Sequence, residues 1–323
     1  MFKSTRSETN NMEHLFIVNP EAGKGKPLTI VNDIKRVFLK TTDKCVIEYT
    51  KCPGHAKSIA SRYAKAGMDR IYAVGGDGTL NEVLNGIMGY GSALGIIPCG
   101  SGNDFFRSIS DNNKENIIER TVRGKKKLID IGKVNNRYFI NISSAGFDAD
   151  VTLNTDNIKR KTPLSIEWAY RAGILVSLFK NKGYTIDISV DGKRFREKII
   201  LCVVGNGKYY GGGILPLPDA LMNDGLFDIC LAKSVNIFKI LKLFPKYKKG
   251  MHGNIKEVSF YSGKEIIIEC SKDLPVNIDG EIEYNSKLKF QIIHEAINFV
   301  VPDTQSNSMA DNSNDYISKS AVI

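Results

Sequence analysis

Gly75, Gly76, Asp77, Gly78 and Thr79 form one run that continues as Leu80-Asn81-Glu82-Val83-Leu84-Asn85-Gly86. This mix of glycine, carboxylate and hydroxyl suits the holding of charged oxygens. Glycines permit positive φ and let a ligand approach backbone amides that a Cβ would shield. The free N–H groups at a helix start, here near Thr79 to Asn81, attract an anion such as phosphate. Asp77 adds a constraint. A carboxylate beside phosphates is repulsive unless a divalent cation stands between them, so the run points to Mg²⁺ as well as nucleotide. Taken alone, it reads equally well as a tight turn in which Asp77 and Thr79 cap a helix.

Other stretches carry related chemistry. Cys99-Gly100-Ser101-Gly102-Asn103-Asp104-Phe105 is a second glycine turn with an acid. Two such loops are far less expected by chance than one. Asn19-Pro20-Glu21-Ala22-Gly23-Lys24-Gly25-Lys26 looks like a phosphate loop, but Pro27 stands where a Walker motif needs Ser or Thr. Asn223-Asp224-Gly225 and Asp279-Gly280 are good β-turns in their own right. Asp130, in Leu128-Ile129-Asp130-Ile131-Gly132, reads from the residues alone as an acid on a surface strand.

The elements that must position these residues follow from periodicity. Leu15 to Val18, Val46 to Thr50, Ile71 to Val74 and Leu94 to Pro98 read as strands, with helical patterns near Pro27 to Leu39, Gly54 to Ala66 and Leu80 to Ile87. This β–α alternation predicts a parallel, doubly wound sheet whose ligands sit beyond the carboxyl ends of its strands. From Gly132 onward hairpins take over, with turns at Asn135-Asn136 and Asp191-Gly192. A mainly antiparallel β half is therefore expected. One apolar helix over Leu164 to Lys180, capped by Thr162 and started by Pro163, interrupts it as core or as a wall of an acyl-chain groove. Gly205 to Gly213 reads as a flexible loop. Ile237 to Lys249 alternates apolar and basic residues, fitting either a solvated helix face or a surface docked on anionic headgroups.

These motifs resemble the diacylglycerol kinase catalytic-domain family, in particular its soluble bacterial lipid kinases, with sphingosine and ceramide kinases as relatives. The resemblance runs from about His14 to about Pro302, and GGDGTLNEVLNG is its most specific part. It implies an α/β N-terminal domain of the NAD kinase/phosphofructokinase-like kind over 13–131, rejoined by 296–303. A β-sandwich domain over 132–295 would carry the lipid, with flexible termini at 1–12 and 304–323. It assigns Asn19, Pro20, Glu21, Ala22, Gly23, Thr50, Gly75, Gly76, Asp77, Gly78, Thr79, Leu80, Asn81 and Ser101 to the nucleotide, ATP. Position 101 is usually threonine in the family, and serine keeps the hydroxyl. Asp104 would help order metal-bound water, Asp279 would border the cleft, and Glu281 would be the general base. Asp224, with the carbonyls of Leu221 and Leu226, would hold a structural Mg²⁺. Asp130 also matches a family position.

Composition sets the compartment and partners. The 323 residues carry a net charge of +10, which favours an anionic partner. The six cysteines show no CxxC pairing, as expected of reduced core residues in a cytosolic setting. The N-terminal residues lack the apolar core of a signal peptide, and no apolar run approaches membrane-spanning length. A lipid alcohol would be reached peripherally, from the inner face of an anionic membrane. The acceptor is left open among diacylglycerol, a sphingoid base and another alcohol. A non-catalytic nucleotide-binding regulator is the other class; no RNA motif or helix-turn-helix speaks for nucleic acid. Oligomeric state is not legible, and a homodimer is one option. Asp77→Ala is expected to abolish Mg·ATP-dependent transfer in a folded protein, checked by turnover alongside circular dichroism.

Overall fold

The computed structural model describes residues 11–304 apart from 112, 164–171, 174–175 and 178–182. The expectations for a helix over 164–180 and for the termini fall almost wholly outside these residues. Strands β1 (Glu13–Val18), β2 (Lys44–Tyr49), β3 (Arg70–Gly75) and β4 (Ala93–Pro98) run parallel in the order β2-β1-β3-β4. They are joined by helices α1 (Lys26–Thr29) and α2 (Val31–Phe38), α3 (His55–Lys65) and α4 (Asp77–Ile87). The expected helix over Pro27 to Leu39 is thus split at Ile30. Helices α5 (Asp104–Ile109) and α6 (Ile117–Val122) follow β4.

Alternation along the strands explains the burial of both sheet faces. Leu15, Ile17, Ile71 and Ala73 pack with Ile59, Leu80 and Leu84 of α3 and α4. Phe16, Val18, Tyr72 and Val74 face the other way and pack with Val31 and Ile34 of α2. Strands covered on both faces read as the continuous apolar runs seen in the sequence.

Beyond α6 the pairings turn antiparallel. The elements are β5 (Lys125–Val134), β6 (Arg137–Phe139), β7 (Ile142–Gly146), α7 (Phe147–Lys161), β8 (Tyr184–Val190), β9 (Lys193–Gly205) and β10 (Phe227–Lys233). Then come α8 (Ile237–Lys248), β11 (Val258–Gly263), β12 (Glu265–Ile278) and β13 (Glu281–Val301). Asp191 and Gly192 both have positive φ (46° and 84°), as do Asp279 and Gly280 (47° and 97°). Consecutive positive φ values match the twist of a tight hairpin, which is why these dipeptides mark its tips.

Strand β13 joins the halves. It leaves the Asp279-Gly280 turn antiparallel to β12, pairs along β5, and ends beside β4 with Phe299 opposite Leu94 in parallel register. Its residues Ile297 and Phe299 belong to the same apolar cluster as Leu94 and Phe105. Among the described residues, no helix is long and apolar enough to cross a membrane.

Helices α3 and α4 approach closely at Gly86, where an added Cβ would lie 2.5 Å from the Lys57 carbonyl oxygen and 2.8 Å from Ala60 Cβ. A β-branched side chain there must push two backbones apart. Gly86→Val is expected to cost about 1–3 kcal/mol, read as a lower denaturation midpoint.

Candidate active site

The loops leaving β3 and β4 abut. A Cβ on Gly100 would sit 2.5 Å from Gly76 Cα, so only glycine lets the two backbones touch. Gly23, at φ 53°, packs against the Cys99 carbonyl, where any side chain would collide. Three loops thereby converge at the carboxyl ends of β1, β3 and β4. Asn19 Nδ2 donates to Thr79 Oγ1 at 3.0 Å and ties the first loop to the second.

The acids in these loops have distinct surroundings. Asp77 accepts from the N–H groups of Asp104 (3.2 Å) and Phe105 (3.1 Å), capping the facing helix α5 rather than its own. Asp104 accepts from the Gly212 N–H through Oδ2 at 2.8 Å. Its Oδ1 is buried without a hydrogen bond, 3.9 Å from the Arg107 guanidinium. Burial raises the Asp104 pKa first, and the neighbouring Asp77 charge adds to it.

Asp279 is saturated. Oδ1 accepts from the N–H groups of Asn141 and Ile142, each at 3.1 Å, and Oδ2 from Ile140 N–H and Asn81 Nδ2, each at 2.8 Å. Burial pushes it up to about 6 against the pull of these donors. With no lone pair left over, its carboxylate joins α4 to the β6–β7 junction and the β12–β13 turn. Glu281, two residues on, is half-exposed and paired with Arg137 Nη2 at 2.5 Å, while Arg137 Nη1 holds Glu283 at 3.0 Å. Arg137 is a site residue the sequence reading missed. Its only signal was a cation on a two-sided hairpin.

One cavity of about 730 Å³ connects these groups. Its polar end is lined by Asn19, Gly76 to Thr79, Gly100 to Gly102, Asp104 and Glu281. Its other end is lined by Phe147, Ile200, Ile214, Ile240, Leu243 and Phe244. Along it stand six acids (Asp77, Glu82, Asp104, Glu257, Asp279, Glu281) and one lysine, Lys233.

A family model for the diacylglycerol kinase catalytic domain matches residues 13–134, and one for a YegS C-terminal NAD kinase beta sandwich-like domain matches 141–301. A crystal structure from Bacillus anthracis shares the fold with a TM-score of 0.73 at 27% identity, covering 91% of this chain and 98% of that one. A diacylglycerol kinase of Bacillus subtilis is 29% identical over 91% of this chain and 98% of its own length. One from Staphylococcus aureus is 31% identical over 84% and 86%, and a YegS-like protein of Shewanella frigidimarina 34% identical over 72% and 76%. The chain belongs to the diacylglycerol kinase catalytic-domain family. It is a lipid kinase.

The lipid kinase cleft gathers Asn19, Ala22, Gly23, Gly76, Asp77, Gly78, Thr79, Leu80, Ser101, Asp104, Asp279 and Glu281. Pro20, Glu21, Thr50, Gly75 and Asn81 do not line it. Thr50 lies at the end of β2 with its N–H on the Val18 carbonyl, and Asn81 is turned toward Asp279 and the Tyr138 carbonyl. Leu221, Asp224 and Leu226 form a separate turn. Asp224 Oδ1 accepts from Leu226 N–H at 3.0 Å, and nearby Asp228 is pushed up to about 6 by burial and then by the charges of Asp224 and Asp219. A cation would relieve that repulsion, so the turn fits one chemically. Among the described residues no three His, Cys, Asp or Glu side chains are grouped for a metal.

Two sequence expectations are corrected. Asp130 is wholly buried rather than on the surface, because it accepts from the Gly225 and Glu295 N–H groups and pairs with His294 at 2.8 Å. The loop Gly205 to Gly213 is tied down, with Asn206 and Gly207 donating to the Asn141 carbonyl, Lys208 N–H to Ser108 Oγ and Gly212 N–H to Asp104.

Losing its two cap bonds makes Asp77→Ala less stable by about 1–2 kcal/mol but still folded. For Asp279, an unfolded aspartate ionises near pH ~4, so between there and about 6 the folded state keeps a proton the unfolded chain has lost. Its contribution to stability therefore declines as pH rises through that window. Asp279→Asn is expected to flatten this slope and to cost about 1–3 kcal/mol at neutral pH, because an amide turns donors toward donors. Thermal denaturation from pH 4 to 7 checks both.

Proposed function

We propose that the chain transfers the γ-phosphoryl group of ATP to the hydroxyl of a lipid alcohol, most simply diacylglycerol, giving phosphatidic acid. The observation that carries this reading is the single cavity running from the glycine loops to an apolar compartment. A nucleotide's charged tail fits the first end and acyl chains the second.

In this reading the backbone amides near Gly76 to Thr79 and Ser101 hold phosphates. Glu281 accepts the proton as the acceptor oxygen bonds to the γ-phosphorus and the bond to the β-phosphate oxygen breaks, releasing ADP. Arg137 fixes where that carboxylate points, and Asp279 fixes the turn that carries it. Phosphoryl transfer depends mainly on such positioning and on neutralising charge. Asp104 Oδ1, which accepts no hydrogen bond, and the facing Asp77 carboxylate suit a Mg²⁺ ion held by Asp77 and Asp104. When bound, it would offset the charge of the phosphates. The turn of Leu221, Asp224 and Leu226 is read as a second, structural Mg²⁺ site. The acceptor is met peripherally at a membrane surface.

Radiolabelled ATP with magnesium, incubated with a panel of lipid hydroxyls, tests the reading. Labelled phosphatidic acid is the expected product, and label only in a sphingoid base or other alcohol would replace the acceptor. Glu281→Gln is expected to lower kcat ~10²–10⁴-fold while leaving the denaturation midpoint nearly unchanged, because the side chain is 55% exposed.

A further inference from the structure

Helix α8 forms one wall of the apolar compartment, and its two faces differ. Ile240, Leu243, Phe244 and Tyr247 line the cavity, and Ile240 and Tyr247 also pack on the cluster around Val203 and Cys230. The opposite face has no cover among the described residues. Phe238 is 79% exposed and Leu241 50% exposed, with Met251 66% exposed just past the helix end. Lys242, Lys246 and Lys249 follow Phe238 at spacings of four, eight and eleven residues, which stacks them on one side. All three are exposed, and none forms an ion pair among the described residues, whereas Lys239 is held by Glu257 at 2.6 Å. Leu241 stands on the border, counted both in the outer stripe and in the cavity lining.

Apolar side chains level with cations on one helix face are what an anionic bilayer interface accommodates, the rings entering the acyl boundary and the ammonium groups remaining among the headgroups. We propose that the outer face of α8 docks on an anionic phospholipid surface and that Leu241 marks where an acyl chain passes from bilayer to cavity. The partner chemistry is fixed by charge: the stripe is basic, and the whole chain carries +10. This rests on the lipid-acceptor reading for its purpose, but the docking itself needs neither ATP nor acceptor and can be measured without them.

The test is co-sedimentation of the full chain with vesicles of phosphatidylglycerol or of phosphatidylcholine, both free of diacylglycerol. Wild type is expected to partition strongly to the first and weakly to the second, and to release as salt is raised. Lys242→Ala/Lys246→Ala/Lys249→Ala is expected to weaken phosphatidylglycerol binding about a hundredfold, and Phe238→Ser about tenfold. Both variants should keep wild-type turnover on a short-chain acceptor dispersed in water while losing turnover on acceptor held in phosphatidylglycerol vesicles. Unchanged partition of both variants overturns the proposal. So does sedimentation in which Phe238→Ser splits a dimer and vesicle binding stays intact, which would make this face a contact between copies. Vesicle binding through α8 with no label transferred to any lipid would leave the docking standing and remove the acceptor reading instead.

Discussion

The half-buried Asp279 carboxylate is the contact on which the site geometry depends. A charge removed from water is costly unless its lone pairs are met, and here four donors from two parts of the chain meet them. Asn81 brings α4, whose first turn carries Asp77 and Thr79. The N–H groups of Ile140, Asn141 and Ile142 bring the antiparallel half. Since Asp279 also occupies the positive-φ position of the β12–β13 turn, the same residue that binds the halves sets the direction in which Glu281 departs. Loosening it would not merely weaken a joint; it would move the proposed base relative to the glycine loops.

The cleft so formed is electrostatically one-sided. Six acids line it against a single lysine, itself engaged by Glu197 at 2.6 Å. Glu257 and Glu281 are held by Lys239 and Arg137, and Asp104 lies 3.9 Å from Arg107, so the uncompensated acids among the described residues are Asp77, Glu82 and Asp279. Backbone N–H groups at the start of α4 supply partial positive charge, but this is small beside a polyphosphate. The repulsion is sharpened where Asp77 and Asp104 face each other, raising Asp104 above the usual carboxylate range once burial has done the larger part. In the proposed reading a divalent cation would offset this imbalance, and Asp104 Oδ1, which accepts no hydrogen bond and lies 3.9 Å from Arg107, is a natural ligand for it.

Much of this was legible in the sequence because local chemistry dictates it. Gly76 and Gly100 stand out as glycines in acid-bearing turns, and the touching backbones give the reason. Asp191-Gly192 and Asp279-Gly280 announce hairpins because those residues tolerate positive φ. What was not legible depends on partners distant in the chain. Asp130 looks like a surface acid until Gly225, His294 and Glu295 close around it. Asn81 sits in a phosphate-loop motif yet turns to a residue 198 positions away. Arg137 has no motif at all, and its meaning comes from distant partners, Glu281 and Glu283 on β13 and Asn81 on α4.

The apolar end of the cleft carries a consequence of its own. Moving each methylene of an acyl chain from hydrocarbon into water costs about 0.8 kcal/mol, so in the proposed reading a long-chain acceptor would not cross open solvent to reach Glu281. The compartment bounded by Phe147, Ile200, Ile214, Leu243 and Phe244 replaces hydrocarbon contact only if its entrance abuts the bilayer. Among the described residues the far side of helix α8 is uncovered, so in the proposed reading an acceptor's hydroxyl would reach the glycine loops while its chains stay between two apolar surfaces. In that reading, the acceptor's own tail would occupy the apolar compartment and keep bulk water from the phosphoryl group.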